Sequence, residues 1–282
     1  MLEKNFKLMP EEKAALKLRS LYENYGYNFY RMSRFEEYDF YADKKDFLTS
    51  KSILTFTDLN GKLMALRPDV TLSIIKHIKN SPGVQKFYYD EKVYRVPKNS
   101  SGFREISQAG VECLGPLNDS NIKEVLELAL LSLENLADGK NFILDVAHAG
   151  MIAQLLEERQ NKPEILKCLA EKNLHELKIL NAPEKLIALA NLEGPLKNSL
   201  HVLDEGTAEI ISSLEKIFPG KIHIDFSVTS NLNYYNGIIF RGFIEGIPDS
   251  VLSGGQYDRL MSLIKNQSSK AIGFAVQLGV RS

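Results

Sequence analysis

Two long runs of aromatic and β-branched residues constrain this chain more than any other feature of its sequence. The first run covers 86–95 (KFYYDEKVYR) and the second covers 106–114 (ISQAGVECL). Residues of these types favour pleated, half-buried strands. The segment between the runs is polar and contains Pro97 and Gly102, which is typical of a loop. Because consecutive strands joined by a short loop usually pair antiparallel, the sequence predicts a sheet of the antiparallel type.

Helices and further strands surround this pair. Helices are predicted at 10–26, 68–80, 121–136 and 257–264, and strands at 27–32, 52–57, 62–66, 142–146, 222–226, 237–244, 251–252 and 271–276. Asn60 and Gly61 form a strong hairpin signal between two of the strands, whereas 253–255 (SGG) indicates a flexible turn. The mixture predicts an α+β fold rather than a regular βαβ winding.

The composition changes after Gly150. Residues 150–216 are rich in Leu, Glu, Lys and Ala and poor in β-branched residues, and that composition favours helices. We therefore expect a discontinuous core made of 1–149 and 217–282, interrupted by a helical insert at 150–216.

Charge and motif content argue against several classes of function. Lys+Arg total 35 against 36 Asp+Glu, so the basic excess typical of nucleic-acid binding is absent and no such partner is expected. The chain has neither a GxGxxG nor a P-loop motif, and its five histidines lack metal-ligand spacing, so we expect no cofactor and no metal, and solvated or capping histidines. Cys113 and Cys168 are expected as buried thiols of a cytoplasmic protein. The polar N-terminus does not resemble a signal peptide, and no apolar run is long enough to span a membrane.

Five short blocks resemble, in order, the signatures of histidyl-tRNA synthetases. They are 66–71 (LRPDVT), 94–95 with 102–105 and 108–115 (YR, GFRE and QAGVECLG), 233–237 (NYYNG), 253–258 (SGGQYD) and 273–275 (GFA). The first is similar to the LRPE-G-T stretch, the second to class II motif 2, the next two to the D-Y-Y and A-G-G-R-Y-D signatures, and the last to the start of motif 3. One block alone is a weak signal, but the ordered set is a strong one. The resemblance implies a class II aminoacyl-tRNA synthetase-like fold, an antiparallel sheet flanked by helices.

The same resemblance implies a pocket for free histidine. The residues at the matching positions are Asp69, Thr71, Gln108, Glu112, Tyr234, Tyr235 and Tyr257. Acidic and hydroxyl side chains of these types suit an ammonium group and an imidazole ring, both of which offer N–H donors. We assign Asp69, Thr71 and Gln108 to the ammonium end, and Glu112 with Tyr235 to the imidazole. Tyr234 and Tyr257 would flank the ring, and Arg95 and Arg104 are candidate anion-binding residues.

Simpler interpretations exist for most of these residues. Asp69 follows a proline and suits the N-terminus of a helix. Tyr234 and Tyr235 fit ordinary strand aromatics, and the two arginines fit exposed loop charges. Glu112 differs, because a carboxylate in an apolar strand is costly without a partner, which favours a functional role.

Two positions depart from the synthetase signatures. Ser230 stands where the family has an arginine before D-Y-Y, and Val280 stands at the arginine of motif 3. Neither side chain can replace a guanidinium at a phosphate centre, so no catalytic residues are expected. The sequence printed here also ends at Ser282, and we expect no anticodon-binding domain.

A synthetase-like chain with these departures resembles the regulatory subunits of ATP phosphoribosyltransferase. That resemblance implies a non-catalytic, cytoplasmic protein that forms a dimer and docks with the short-form catalytic subunit, in a hetero-octamer, at the first step of histidine biosynthesis. Histidine would be the effector of feedback inhibition. Three alternatives stay open, namely a compact synthetase or another amino-acid-ligating paralogue, a module that binds uncharged tRNA, and a scaffold with an inactive pocket.

Overall fold

The computed structural model describes residues 8–48, 52–79, 81–96, 102–192, 196–229, 234–265 and 269–279. The helices in these ranges are α1 (Pro10–Asn24), α2 (Asp39–Ala42), α3 (Val70–His77), α4 (Asp119–Ala137), α5 (Ala149–Leu155), α6 (Lys162–Ala170), α7 (Leu174–Ile179), α8 (Glu184–Ala190), α9 (Leu196–Ser199), α10 (Glu205–Glu215) and α11 (Asp258–Lys265). The strands are β1 (Asn28–Phe29), β2 (Phe35–Glu37), β3 (Thr55–Thr57), β4 (Leu63–Leu66), β5 (Gln85–Arg95), β6 (Arg104–Gly115), β7 (Phe142–His148), β8 (Ile222–Ile224), β9 (Ile238–Ile244), β10 (Leu252–Gln256) and β11 (Lys270–Gln277).

Eight strands form the main sheet in the order β1-β5-β6-β11-β10-β9-β7-β8. The six inner strands pair antiparallel, and β5 and β6 form the long hairpin that the sequence predicts. The edge strands β1 and β8 are parallel to their neighbours. Parallel pairs need a long crossover, and the chain supplies two, one through the small sheet and α3 and one through α5 to α10. The α+β class is confirmed, and the sheet is mixed at its edges.

The segment between β7 and β8 is helical, as its composition predicts. Its apolar residues, such as Leu169 and Leu186, belong to the same buried cluster as Phe240 and Phe274 of the main sheet. This segment therefore shares a core with the sheet. The division into a discontinuous core and an insert at 150–216 stays a prediction.

A second sheet contains β2, β4 and β3 in that order, all antiparallel. The predicted hairpin is present: Gly61 adopts a φ of +81°, and the Asp58 carboxylate accepts hydrogen bonds from the backbone N–H groups of Asn60 and Lys62. The strand predicted at 27–32 is reduced to two residues. Among the described residues, no helix is long and apolar enough to cross a membrane.

The flexible turn predicted at 253–255 is wrong. Ser253, Gly254 and Gly255 lie inside β10, which pairs with β9 on one side and β11 on the other. A Cβ atom on Gly254 would lie 2.6 Å from the Phe240 ring, and one on Gly255 would lie 2.7 Å from the Tyr235 ring. The glycines are therefore needed for close packing in the middle of the sheet.

Candidate functional site

A concave pocket lies between α3, the middle of the main sheet and the segment before β9. It encloses about 550 Å³, part of which is open to solvent. All seven residues predicted to bind histidine line it, and so does Arg95. The remaining lining residues are Phe47, Val70, Tyr89, Ser253, Gly273, Phe274 and Ala275. The structure thus brings together residues from seven separate parts of the sequence.

Glu112 lies on the floor of this pocket, on β6, and its exposed fraction is 1%. The hydroxyl group of Thr71, on α3, donates a hydrogen bond of 2.6 Å to its Oε1 atom. The hydroxyl group of Tyr257 donates to Oε2. Gly273 lies opposite Glu112 on β11, and its missing side chain leaves room for the carboxyl group. Two neutral donors therefore hold this carboxyl group, and it forms no ion pair with any residue that the structure describes.

Burial raises the pKa of Glu112 to about 8, and the negative charge of Asp69 adds to the rise. The hydrogen bonds from Thr71 and Tyr257 act in the opposite direction but do not cancel it. A cation placed beside Glu112 would favour its charged form and lower this pKa. The pocket is thus suited to a small cationic group.

The raised pKa of Glu112 predicts a pH dependence of stability. An unfolded chain loses this proton near the ordinary value of 4.5, whereas the folded chain keeps it to about pH 8. Between these values the folded state binds more protons, so the free energy of unfolding falls as pH rises, by at most about 1.4 kcal/mol per pH unit. Denaturant unfolding of wild type and Glu112→Gln from about pH 5 to about pH 8 tests this. The free energy of unfolding of the variant should fall less steeply with pH than that of wild type. Parallel pH profiles would contradict the assignment.

Asp69 occupies both of the roles considered for it. It is the N-cap of α3, and its carboxylate accepts a hydrogen bond of 2.9 Å from the backbone N–H of Leu72. It also lines the pocket, where burial raises its pKa. The cap holds the second acidic group of the pocket in a fixed position.

Three tyrosines form one wall of the pocket. The ring centroids of Tyr234 and Tyr257 are 5.6 Å apart, and those of Tyr234 and Tyr235 are 4.8 Å apart. Tyr234 and Tyr235 precede β9 and are not part of any strand, so the interpretation as strand aromatics is wrong. Their rings line the pocket.

The two candidate anion-binding arginines occupy different environments. Arg95 and Arg104 are opposite each other in the β5–β6 register. Arg95 lines the pocket, where burial lowers its pKa and the charge of Asp69 raises it. Arg104 is exposed and does not line the pocket. The interpretation as an exposed charge therefore holds for Arg104 and is wrong for Arg95.

Sequence reasoning missed Phe47, Tyr89 and Ser253 as lining residues. Tyr89 is almost fully buried, with 1% of its surface exposed. A side chain on Gly110 would collide with the Tyr89 ring, so the glycine in the block at 108–115 was the available signal. Phe47 is the last residue of a short 3-10 helix, Lys45–Phe47, that carries no motif, and nothing in the sequence pointed to it.

Other predicted residues have structural roles. His148 is the N-cap of α5, where its Nδ1 atom accepts a hydrogen bond of 3.2 Å from the backbone N–H of Met151. Cys113 and Cys168 are buried free thiols, as predicted. Within the described parts of the chain, no group of His, Cys, Asp or Glu residues is arranged to hold a metal ion. Ser230, Val280 and the loop residues 97–101 lie outside those parts.

The model of one protein family, histidyl-tRNA synthetase, matches residues 7–280. The chain belongs to the histidyl-tRNA synthetase family. An ATP phosphoribosyltransferase regulatory subunit from Clostridium botulinum (strain Langeland) is 30% identical to it, over 98% of this chain and 71% of the relative. A histidine–tRNA ligase from Methanocaldococcus jannaschii is 29% identical, over 92% of this chain and 68% of the relative.

Solved structures agree on the fold. A chain from the ATP phosphoribosyl transferase (HisG:HisZ) complex of Thermotoga maritima matches with a TM-score of 0.76 and 21% identity. The match covers 95% of this chain and 97% of that one. Within the family, the resemblance to ATP phosphoribosyltransferase regulatory subunits is confirmed by several relatives of that name, at 26–30% identity.

Proposed function

We propose that this protein is the non-catalytic regulatory subunit of an ATP phosphoribosyltransferase and that it binds free histidine as a feedback effector. Its partner would be the short-form catalytic subunit, in the cytoplasm, and it would form a dimer within a hetero-octamer. The observation that carries the proposal is the pair of acids, the half-buried Asp69 and the buried Glu112, in a tyrosine-walled pocket of a chain related to regulatory subunits.

The chemistry of the pocket supports histidine as the ligand. Asp69, Thr71 and Gln108 offer acceptors for an ammonium group, and Glu112 offers one for an imidazole N–H. Each charge-assisted hydrogen bond contributes roughly 1.5–3 kcal/mol, so a few of them are enough for binding in the micromolar range, about −8 kcal/mol. The tyrosine rings supply the apolar faces that an imidazole ring packs against.

The sequence supports regulation rather than amino-acid activation. Adenylation places negative charge on phosphate oxygens, and fixed arginines stabilise that charge. Ser230 and Val280 occupy two positions at which synthetases have such arginines. Histidine binding would instead favour one arrangement of the assembly, with a coupling free energy of typically about 1–3 kcal/mol.

Calorimetric titration of L-histidine into the purified protein tests the binding step. We expect saturable binding to the wild type, and an affinity loss of about tenfold or more for Glu112→Gln, because one charge-assisted bond is lost. Glu164→Gln changes an acidic residue of α6 outside the pocket and serves as the matched control. No binding by the folded wild-type protein at millimolar histidine would overturn the proposal.

A second assay separates regulation from ligation. Adding the protein to a short-form catalytic subunit should raise its phosphoribosyltransferase activity, and histidine should then lower that activity. Pyrophosphate exchange with histidine and ATP should be absent. Exchange activity without any effect on the catalytic subunit would favour a histidine-ligating enzyme, the function of the Methanocaldococcus relative.

A further inference from the structure

A bound amino acid brings a carboxylate into a pocket that already contains two acidic residues. Asp69 and Glu112 are matched by one cation, Arg95, among the described lining residues. Arg95 lies close enough to Asp69 for the negative charge of Asp69 to act against the lowering of the Arg95 pKa by burial. In synthetases a loop arginine precedes the D-Y-Y block, and this chain has Ser230 there. A second cation near the pocket would favour binding of the ligand carboxylate.

The sheet places another arginine beside the pocket. Ala275, Ser253 and Arg241 are register partners on the adjacent strands β11, β10 and β9. Residues paired in this way project from the same face of a sheet, with strands about 4.8 Å apart. Ala275 and Ser253 line the pocket, so the half-buried Arg241 is the next side chain on the same face.

The electrostatics agree with this position. Burial raises the pKa of Tyr235, whose ring lines the pocket, and the positive charges of Arg241 and Arg95 both act against that rise. Burial lowers the pKa of Arg241 itself, and the nearby Tyr235, Asp145 and Asp225 raise it. An arginine in such a place stays protonated. Arg241 thus places a permanent positive charge on β9, whereas Glu112 is on β6, with β11 and β10 between the two strands.

The two acidic residues near Arg241 also have other polar partners. Asp145, on β7, lies 3.7 Å from Nδ1 of His223. The Asp225 carboxylate, after β8, forms an ion pair of 2.9 Å with Nζ of Lys172. Arg241 is thus one of several basic side chains near these two carboxylates.

We infer that Arg241 binds the carboxylate of the amino acid held in the pocket. This inference rests on the proposed function and adds a residue to it. The guanidinium presents paired N–H donors that match the two oxygens of a carboxylate. Arg241 lies on β9 of the main sheet and outside the five synthetase-like blocks. The pocket would then select zwitterionic amino acids over amines of the same shape.

Comparing L-histidine with L-histidinol tests the inference, because histidinol keeps the imidazole and the ammonium group and has a neutral CH2OH in place of the carboxylate. Calorimetry on the full chain should show that the wild type prefers histidine. In Arg241→Gln the affinity for histidine should fall by about tenfold to a hundredfold, and that for histidinol should change by less than about threefold. Arg241→Lys, which keeps the charge, should retain part of the preference.

Arg159→Gln is the matched control, since Arg159 is exposed and does not line the pocket; it should leave both affinities unchanged. Equal losses for the two ligands in Arg241→Gln would indicate a purely structural role and overturn the inference. An unchanged preference for histidine would also overturn it and would point to Arg95. If the wild type binds neither ligand, the proposed function itself fails.

Discussion

Replacing Gly273 with alanine is expected to reduce histidine binding by about a hundredfold or more. Gly273 lies in the middle of β11, directly opposite Glu112. A Cβ atom there would collide with the Glu112 carboxyl group and would lie 2.5 Å from the carbonyl oxygen of Val111. The clash with Glu112 can be relieved only by moving that side chain, and the clash with the Val111 carbonyl requires β6 and β11 to shift relative to each other. The pocket would then lose its buried acceptor and its hydrogen bonds from Thr71 and Tyr257 together.

Calorimetric titration of histidine into Gly273→Ala, with a stability measurement in parallel, checks this expectation. Overpacking in a well-packed interior typically costs about 1–3 kcal/mol, so the variant should remain folded in a protein of ordinary stability. Gly83→Ala is the matched control, because a Cβ atom on Gly83 meets no atom within 4 Å. If Gly273→Ala binds histidine as tightly as wild type, Glu112 is not a contact of the ligand.

Replacing Arg67 with alanine is expected to lower the free energy of unfolding by about 3–5 kcal/mol, the usual cost of leaving a buried charge without its partner. Arg67 is fully buried. Its Nη1 atom donates a hydrogen bond of 2.6 Å to the carbonyl oxygen of Ser33, and its Nη2 atom donates to the Glu91 carboxylate at 2.7 Å and to the carbonyl oxygen of Lys92 at 2.9 Å. The side chain therefore joins the segment before β2, the end of β4 and the middle of β5.

Urea or guanidinium unfolding of Arg67→Ala measures this loss. Lys62→Ala is the control, since Lys62 forms an ion pair of similar length, 2.7 Å, with Glu37, but both side chains are more than half exposed. Exposed pairs contribute about 0–1 kcal/mol, so the control should be nearly neutral. Comparable losses in the two variants would show that burial is not what makes the Arg67 pair important. Because Arg67 immediately precedes the segment that carries Asp69 and α3, we also expect weaker histidine binding in Arg67→Ala.

Local sequence patterns predicted the main elements well. The β5–β6 hairpin, α4, and the turn at Gly61 occur where they were expected, because strand-forming side chains, apolar helical spacing and a residue with positive φ are local properties. The ends were less accurate. The helix predicted from 68 begins at Val70, because Asp69 caps it, and the strand predicted at 27–32 forms only two pairs, with Phe87 and Tyr88 of β5.

The candidate site was predicted from the ordered blocks, and the structure brings their residues together. The blocks did not indicate which polar residues would meet. Arg95 and Arg104 occur in the same block, yet one lines the pocket and the other is exposed. Arg241 lies in no block, and only the register of β9 against β10 places it beside the pocket.

The sequence alone determined the order of the motifs, the residue types at the pocket positions and the loss of two synthetase arginines, because each of these is a property of the chain read one position at a time. The tertiary structure decided what those residues experience. The pair of glycines in β10 favours a turn when considered locally, but Phe240 and Tyr235 pack where their side chains would be, so the segment is a central strand. Likewise the pKa of Glu112 depends on how completely Thr71, Tyr257 and the opposite strand exclude water from it. Desolvation is set by atoms distant in sequence, and therefore only the folded chain turns an ordinary glutamate into a buried acceptor for a cation.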